Sequence, residues 1–406
     1  MALSVADFEI ETAMNIVPTS SKLSAASRKE NPYPYYAGFS EDFVANTLQA
    51  VNARPGDIVL DPWNGAGTTT TVASHLGIDA IGIDLNPVMF LAAKIRAFDR
   101  QKLRAYCNAV LSQLHRYRDV EGEFCPFQAS GEAFGRIRNG FDRNGQDVLL
   151  FGLMLSCKRA SSGSRSQNPT WFSRRRLETL RLHKDEIESL WVSSFETLRE
   201  WSQPPTCSTN PKSPKLVTGD WLRCRNPNRV THIITSPPYL TRIDYPMKTL
   251  PELLLLSEVS QIDIDSLRRN MLGTVLTERR LASVSSDKIP YVSKLLTEIR
   301  EHESKASRTY YFHFFRQYFD RLFRSLSKIN KIVDSPRTIT LVSQGSFYKD
   351  LFIDLPKIID EMMHHFCYKT SHRHNFVSRH NIVAVNTRAY ASSNFYPDEI
   401  SATYSR

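Results

Sequence analysis

A serine followed by two prolines and a tyrosine, Ser236 to Tyr239, stands directly after an apolar run. The prolines stiffen the backbone and leave two carbonyl oxygens without competing local N–H donors. Such carbonyls can accept hydrogen bonds from an amino group, and the flat face of Tyr239 can stack on an aromatic base. A proline-ended strand with a capping serine is the alternative interpretation, and for an isolated tetrapeptide we would prefer it.

A glycine-containing turn, Asp61 to Thr69, is the second segment that could take part in ligand binding or chemistry. It follows the predicted strand 58–60, and Gly65 and Gly67 permit a tight turn with close backbone approach to a ligand. The alternative is a glycine-rich connection without a ligand. Asp84 ends the next predicted strand, where a carboxylate can accept hydrogen bonds from both hydroxyls of a ribose. The turn lacks the G-x-G-x-x-G pattern, so a dinucleotide cofactor is not favoured.

Together the two segments resemble the amino-group DNA methyltransferases, which modify cytosine N4 or adenine N6. Asp61-Pro-Trp-Asn-Gly-Ala-Gly-Thr68 is similar to that family's S-adenosylmethionine motif, with Trp63 where Phe is usual, and Ser236 to Tyr239 is similar to its catalytic motif. Segments 35–39, 82–87 and 217–220 also match the family's pattern. The resemblance implies S-adenosylmethionine as cofactor, held by Tyr36, Phe39, Asp61, Pro62, Trp63, Asn64, Gly65, Gly67, Thr68, Thr69, Asp84, Leu85, Asn86, Asp220 and Trp221.

The resemblance also implies the reaction. Serine in the first catalytic position is associated with cytosine N4, so we expect N4 methylation of a flipped cytosine by direct transfer. The catalytic residues would be Ser236, Pro237, Pro238 and Tyr239. A methyltransferase acting on adenine N6 or on an RNA amino group stays open, as does a non-catalytic nucleic-acid-binding subunit. We predict no metal, because the cysteines and histidines lack zinc-site spacing.

Composition agrees with a nucleic-acid partner without identifying one. The 406-residue chain carries 52 Lys and Arg against 42 acidic residues, a formal charge of +10, which favours a polyanion. Six cysteines are widely spread and predicted to be reduced. We expect a cytoplasmic location, since the sequence shows neither an export signal nor a long apolar run. The resemblance adds a restriction endonuclease or another defence-system subunit as a candidate partner, and leaves monomer and dimer open.

The hydrophobic patterns predict an α/β fold. Helices are expected at 43–51, 69–76, 91–117, 183–201 and 355–366, and strands at 58–60, 80–83, 215–218, 230–235, 338–342 and 381–385. With the resemblance, this predicts a doubly wound, mostly parallel, seven-strand Rossmann-like methyltransferase sheet with large helical insertions. The predicted units are a polar arm (1–30), a catalytic core (31–88, 211–250 and 331–406) and helical insertions at 89–210 and 251–330.

The first insertion contains the strongest candidate for DNA recognition. Residues 158–176 combine Lys and Arg for phosphates with Ser, Gln and Asn for base edges, although a solvated loop is the alternative. Arginines in the second insertion are candidates too. The late histidines 364, 365, 372, 374 and 380 are predicted to be structural or phosphate-facing. The predicted DNA contacts are Arg165, Asn168, Arg174, Arg175, Arg242, Tyr245, Arg268 and Arg279.

Overall fold

The computed structural model describes residues 32–33, 38, 40–114, 121–166, 171–203, 212–240, 243–277, 285–376 and 398–406. Its main feature is a sheet of seven strands. Numbered in chain order, strands β1 to β7 are Ile58–Asp61, Asp79–Asp84, Lys215–Thr218, Val230–Thr235, Val333–Gln344, Lys369–Phe376 and Glu399–Ser405.

The strand order across the sheet is β6-β7-β5-β4-β1-β2-β3. Strands β1 to β5 pair in parallel, whereas β7 pairs antiparallel with both β5 and β6. The order reverses at β1, whose neighbours are β2 and β4. Ligands bind outside the carboxyl ends of the strands at such a point. The architecture is a mixed, mostly parallel Rossmann-like methyltransferase fold.

Helices surround this sheet and form most of the two long connections. In the described residues, helices α1 to α14 are Glu41–Ala50, Thr68–His75, Pro87–Arg96, Arg100–Leu114, Pro126–Ile137, Arg143–Ala160, Arg174–Glu178, Lys184–Trp201, Tyr245–Lys248, Leu250–Ser260, Ile264–Asn270, Pro290–Glu301, Phe312–Ile332 and Leu355–His365. Two-stranded pairs are formed by Glu123–Phe124 with Leu182–His183 and by Ser346–Tyr348 with Leu351–Ile353.

The centre of the sheet is covered on both faces, to which successive strand residues point alternately. Val59 joins an apolar cluster with α1 and α2, while the next residue, Leu60, joins a cluster with α12, α13 and α14. All six residues of β4 are buried. A central strand covered on both faces is typical of a doubly wound sheet.

The first insertion has an apolar core of its own. Helices α6 and α8 pack so closely that a Cβ on Gly152 would meet the Phe195 ring at 2.2 Å. Leu253 of α10 is buried in this same core, whereas α12 and α13 pack against the sheet. The predicted insertion 251–330 is therefore divided between two cores, with the apolar helix α10 in one and α12 and α13 in the other.

Several predicted elements have the expected positions, including the strands at 58–60, 80–83, 215–218 and 230–235. The helix predicted at 91–117 is instead α3 followed by α4. The Asp99 side chain accepts the Lys102 N–H at 2.7 Å and so begins a new helix. The strand predicted at 381–385 lies outside the described residues. Strands β6 and β7 were not predicted; β6 is polar and mostly exposed at the sheet edge, so it has no apolar alternation.

Candidate active site

The two chemically interesting segments meet at the carboxyl ends of β1 and β4. These strands are parallel neighbours, with Leu60 opposite Ile233. The Thr235 hydroxyl donates a hydrogen bond to Asp61 Oδ1 at 2.6 Å. Since Thr235 directly precedes Ser236, this bond joins the glycine turn to the catalytic tetrapeptide.

The glycine turn is compact because its backbone lies against α3. Gly65 and Gly67 have φ values of 49° and 80°, and the Gly67 N–H donates to the Asn64 carbonyl at 2.8 Å. A Cβ on Gly67 would lie 2.7 Å from the Ala93 Cβ. Glycine at this position is therefore required both by the left-handed conformation and by the close approach of α3.

Asp84 ends β2 and faces the same turn. Its Oδ2 accepts the Gly65 N–H at 2.8 Å, and its Oδ1 accepts the Asn86 N–H at 2.8 Å. Burial raises the pKa of this carboxyl to about 6 against the opposing effect of these two hydrogen bonds. Each carboxylate oxygen has a further lone pair, so Asp84 can still accept hydrogen bonds from a ligand's hydroxyls.

Asp61 is the second perturbed carboxyl at this end of the sheet. Burial raises its pKa to about 6, while hydrogen bonds from Thr235, Thr69 and the Trp63 backbone oppose the rise and the Asp84 charge adds to it. A cation bound at this strand end would favour the ionised form. Paired acids with raised pKa values in a cleft are typical of functional sites.

A cavity of about 280 Å³ opens beside the ends of β2 and β3. Its lining residues are Leu85, Gly219, Asp220, Arg223, Cys224 and Asn270. Leu85 and Asp220 were predicted as cofactor contacts. Arg223, Cys224 and Asn270 were not, because they lack a pattern of their own, and Asn270 comes from α11, far away in sequence.

Several predicted cofactor contacts instead use their side chains to hold the turn. The Asn64 side chain packs on the Gly82 backbone and accepts the Thr70 hydroxyl at 3.1 Å. The Thr68 hydroxyl accepts a hydrogen bond from buried Arg96 at 2.9 Å. Thr69 is fully buried, and its hydroxyl is 3.4 Å from the Ile234 carbonyl.

The side chains of Asn86 and Trp221, also predicted as cofactor contacts, have internal partners as well. Asn86 is buried as the N-cap of α3, accepting the Val88 N–H, and its amide donates to the Thr249 hydroxyl at 2.9 Å. Trp221 is 3% exposed, and its indole N–H donates to the Ser325 carbonyl at 3.3 Å. A buried indole needs such a partner, so Trp221 is a core residue beneath the cavity.

The Ser236–Tyr239 tetrapeptide is fixed by two more distant residues. The Tyr318 hydroxyl of α13 donates to the Pro238 carbonyl at 2.7 Å. The Tyr239 hydroxyl donates to Glu399 Oε1 at 2.6 Å. Sequence reasoning missed both residues, because Tyr318 is indistinguishable from other aromatic residues on an apolar helix face and Glu399 lies in an unpredicted strand.

Tyr245 borders the tetrapeptide, as the sequence suggested. Burial raises its pKa to about 12, opposed by a hydrogen bond with the Tyr239 backbone. It begins α9, whose N-cap is Asp244. The half-buried side chains of Ser236, Tyr239 and Tyr245 therefore lie on one short stretch of chain.

The candidate recognition segment lies against this stretch. The Phe172 N–H donates to the Met247 carbonyl at 3.3 Å. Arg174 is 3.8 Å from Asp265 on α11. The first insertion is thus connected to residues just downstream of the catalytic tetrapeptide.

Arg268, predicted as a DNA contact, has partners within the protein. Its Nε and one terminal nitrogen donate to Asp244 Oδ2 at 3.1 and 2.8 Å, and the other terminal nitrogen is 3.4 Å from Asp265. Arg268 is 19% exposed and Asp244 is 3% exposed. A guanidinium needed by a buried carboxylate is a poor candidate for a phosphate contact.

The remaining DNA candidates are at the surface where the structure describes them. Arg165, Arg174 and Arg175 are exposed, and the Arg165 guanidinium lies 5.4 Å from the centre of the Phe172 ring. The predicted residues outside the described part of the chain are Tyr36, Phe39, Asn168, Arg242 and Arg279.

The described residues offer neither a cluster of metal ligands nor a helix suited to span a membrane. Within them, no group of three or more His, Cys, Asp or Glu side chains is arranged to hold a metal ion. No helix in the same part of the chain combines the length and apolar character needed to cross a bilayer.

Comparison with known proteins finds similarity to DNA methyltransferases. The profile of a family described as DNA methylase matches residues 20–94. The chain is 27% identical over 311 residues to the type II methyltransferase M.BsoBI of Geobacillus stearothermophilus, covering 66% of this chain and 60% of that protein. It is 38% identical over 93 residues to the type II methyltransferase M.MjaII of Methanocaldococcus jannaschii, covering 22% and 17%.

Among solved structures, the chain matches the rRNA methyltransferase aviRa from Streptomyces viridochromogenes with 11% identity and a TM-score of 0.32, over 97% of this chain and 94% of that one. The chain spans about 60% of the length of the first curated relative. Members of such methyltransferase families use S-adenosylmethionine as methyl donor. The sequence matches support an amino-group DNA methylase, and they leave cytosine N4 and adenine N6 unresolved.

Proposed function

We propose that this protein is an S-adenosylmethionine-dependent DNA methyltransferase that modifies N4 of cytosine in duplex DNA. One observation carries the proposal. The Ser236 to Tyr239 tetrapeptide follows β4 directly beside the turn that contains Asp61 and Gly65, and the Thr235–Asp61 hydrogen bond connects the two. A site for an amino group and a site for a nucleoside cofactor are thus adjacent.

The tetrapeptide supplies acceptors for an amino group. The Tyr318 hydroxyl already occupies a position on the Pro238 carbonyl, so the Ser236 hydroxyl and the Pro237 carbonyl are the proposed acceptors of the N4 hydrogens. An exocyclic amine is a weak nucleophile because its lone pair is delocalised into the ring. Fixed acceptors favour the charge that develops on nitrogen as it attacks, without reorganisation at the moment of reaction.

The residues at the strand ends fit S-adenosylmethionine. Asp84 would accept the ribose hydroxyls, the cavity lined by Leu85 and Asp220 would receive the adenine, and the Asp61 to Gly67 turn would hold the methionine end. The cavity and the two carboxyls with raised pKa values support this placement, since a nucleoside needs an apolar slot and fixed polar groups. When bound, S-adenosylmethionine supplies a methyl group activated by its sulfonium charge.

The target base would be flipped out of the duplex and stacked on Tyr239, because an amino group paired within the helix cannot reach these acceptors. Ser236 in the first position favours cytosine over adenine, following the resemblance of the motif. The exposed Arg165, Arg174 and Arg175 would contact the phosphates. A restriction-modification role, with an endonuclease as partner, is proposed because both curated relatives are type II methyltransferases.

The deciding experiment incubates wild type and Ser236→Ala with methyl-labelled S-adenosylmethionine and mixed-sequence duplex DNA, followed by nucleoside mass spectrometry. We expect N4-methylcytosine from wild type and a loss of about 100-fold in Ser236→Ala. Ser260→Ala is the matched control, since its hydroxyl bonds the Leu256 carbonyl within α10 and should leave the product unchanged.

The other outcomes discriminate between alternatives. N6-methyladenine would retain the mechanism and overturn the base assignment. Methylation of RNA alone would redirect the proposal to an RNA amino group. Cofactor binding without methylation of either nucleic acid would favour a non-catalytic nucleic-acid-binding subunit.

A further inference from the structure

The hydroxyl of Tyr239 and the carboxylate of Glu399 form a hydrogen bond between residues 160 positions apart. The donor–acceptor distance is 2.6 Å, which is short for a neutral pair and typical of a phenol bonded to a carboxylate. Glu399 begins β7 and pairs with Gln344 of β5. The carboxylate is therefore presented by the sheet itself.

We propose that Glu399 is a positioning residue that fixes the ring of Tyr239 for stacking on the target base. This inference rests on the proposed function, because the stacked group would be the flipped base. Tyr318 fixes the backbone at Pro238, but a backbone contact leaves the Tyr239 ring free to rotate about its side-chain torsions. The bond to Glu399 anchors the far end of the ring and so restricts rotation about χ1.

The hydroxyl of Tyr239 is suited to act as a permanent hydrogen-bond donor and is unsuited to accept a proton as a base. Burial and the neighbouring Glu399 charge raise its pKa well above 10, while a hydrogen bond with Ser236 has the opposite effect. The phenol consequently stays protonated at neutral pH and keeps its hydrogen bond to the carboxylate. Its contribution to the reaction is then the orientation of the ring face.

Tyr245 borders Tyr239, with a hydrogen bond to the Tyr239 backbone. Because Tyr239 is half-buried, rotation away from Glu399 would change which part of the ring is accessible. Holding a stacking surface before the base arrives avoids the loss of side-chain entropy at the moment of binding.

The test measures methyl transfer to mixed-sequence genomic duplex DNA for wild type, Glu399→Ala, Glu399→Gln, Tyr239→Phe and the double variant Tyr239→Phe/Glu399→Gln. We expect Glu399→Ala to lower kcat about tenfold, as loss of one charged hydrogen bond predicts. S-adenosylmethionine affinity should change less than about twofold, because Glu399 contacts the tetrapeptide rather than the glycine turn. Glu399→Gln keeps the size of the side chain but replaces the charged acceptor with a weaker neutral one, and it should lower kcat about threefold.

The double variant separates positioning from a general structural role. If Glu399 acts through the Tyr239 hydroxyl, Tyr239→Phe/Glu399→Gln should be no slower than Tyr239→Phe alone. Glu303→Ala, at an exposed glutamate, is the control and should match wild type. If Glu399→Ala fails to fold, the Glu399→Gln and Tyr239→Phe comparison still decides the question.

Two results would overturn the assignment while leaving the proposed function intact. One is wild-type kcat in Glu399→Ala. The other is losses in Tyr239→Phe and Glu399→Gln that multiply in the double variant, since Glu399 would then act elsewhere. A wild-type protein that binds S-adenosylmethionine but methylates no DNA would instead overturn the proposed function, and the stacking role with it.

Discussion

The glycine turn and the catalytic tetrapeptide lie side by side but are held in place differently. The turn is stabilised by residues near it in sequence: Gly67 bonds Asn64, and Gly65 bonds Asp84. The tetrapeptide is held from distant points of the chain, by Asp61, Tyr318 and Glu399. One site of the proposed reaction is thus local and the other is assembled by the fold.

This difference suggests that the two segments depend on the rest of the fold to different degrees. A contiguous turn can form a nucleoside site from backbone geometry and one carboxylate, so it tolerates large insertions elsewhere in the chain. The tetrapeptide has little local support, because its prolines cannot donate backbone hydrogen bonds. Its geometry therefore depends on α13, β7 and β1 together, and the Thr235–Asp61 bond keeps the two sites in register.

The largest expected effect concerns the glycine turn, which is stabilised by residues near it in sequence. Asp84→Ala should weaken S-adenosylmethionine binding about 100-fold, because two hydrogen bonds to a charged acceptor are lost. Calorimetric titration measures the change. Asp79→Ala is the matched control, since Asp79 starts the same strand, is exposed, and pairs at the surface with Lys212 at 3.1 Å. Equal affinities for the two variants would remove Asp84 from the cofactor site.

The next effect separates backbone strain from packing in the turn. Gly67→Ala and Gly77→Ala both place a side chain at positive φ, 80° and 74°, but only the first meets Ala93. We expect Gly67→Ala to lose about 2 kcal/mol more of the free energy of unfolding, as a clash in a packed region predicts. Denaturant titration measures it. Equal losses would mean that α3 moves away easily.

A smaller effect concerns the Ser236–Tyr239 tetrapeptide, which is held by residues distant in sequence. Arg268→Lys keeps the charge but loses the fork that binds Asp244, so kcat/KM for DNA should fall about tenfold while cofactor affinity stays constant. The exposed Arg300, 3.8 Å from Glu301, provides the control Arg300→Lys. Unchanged DNA kinetics in Arg268→Lys would show that the Asp244 contact does not support the tetrapeptide.

The smallest expected effect is the pH dependence of S-adenosylmethionine binding, which Asp84 would cause. The Asp84 pKa is raised to about 6, and ribose hydroxyls bind its ionised form. Affinity for S-adenosylmethionine should therefore fall about fourfold between pH 7.5 and pH 5.5. Because the folded pKa is raised, the contribution of Asp84 to stability changes the other way and decreases as the pH rises from about 4 to 6. An affinity that is constant over this range would contradict the assignment.

Sequence patterns were sufficient for the parts of the molecule in which neighbours along the chain are neighbours in space. The strand–turn–helix around Gly67 is one such part, and the acid that ends β2 is another, because strand periodicity, glycine and a terminal carboxylate are all visible locally. The tetrapeptide was visible as a motif, but its supports were not. Strand β6 lacks the apolar alternation that marks a half-buried strand, because it is polar and mostly exposed at the edge of the sheet.

The sequence by itself determined which residue types stand at the ends of β1, β2 and β4, and this supports the proposal of a nucleoside site beside an amino-group site. The tertiary structure decided which of these side chains are available. Asn64, Thr68, Trp221 and Arg268 carry polar groups that suggested ligand contacts, but packing directs those groups to internal partners. It also decided that Tyr318 and Glu399 reach the tetrapeptide, because long-range hydrogen bonds depend on how helices and strands pack, which no local pattern contains.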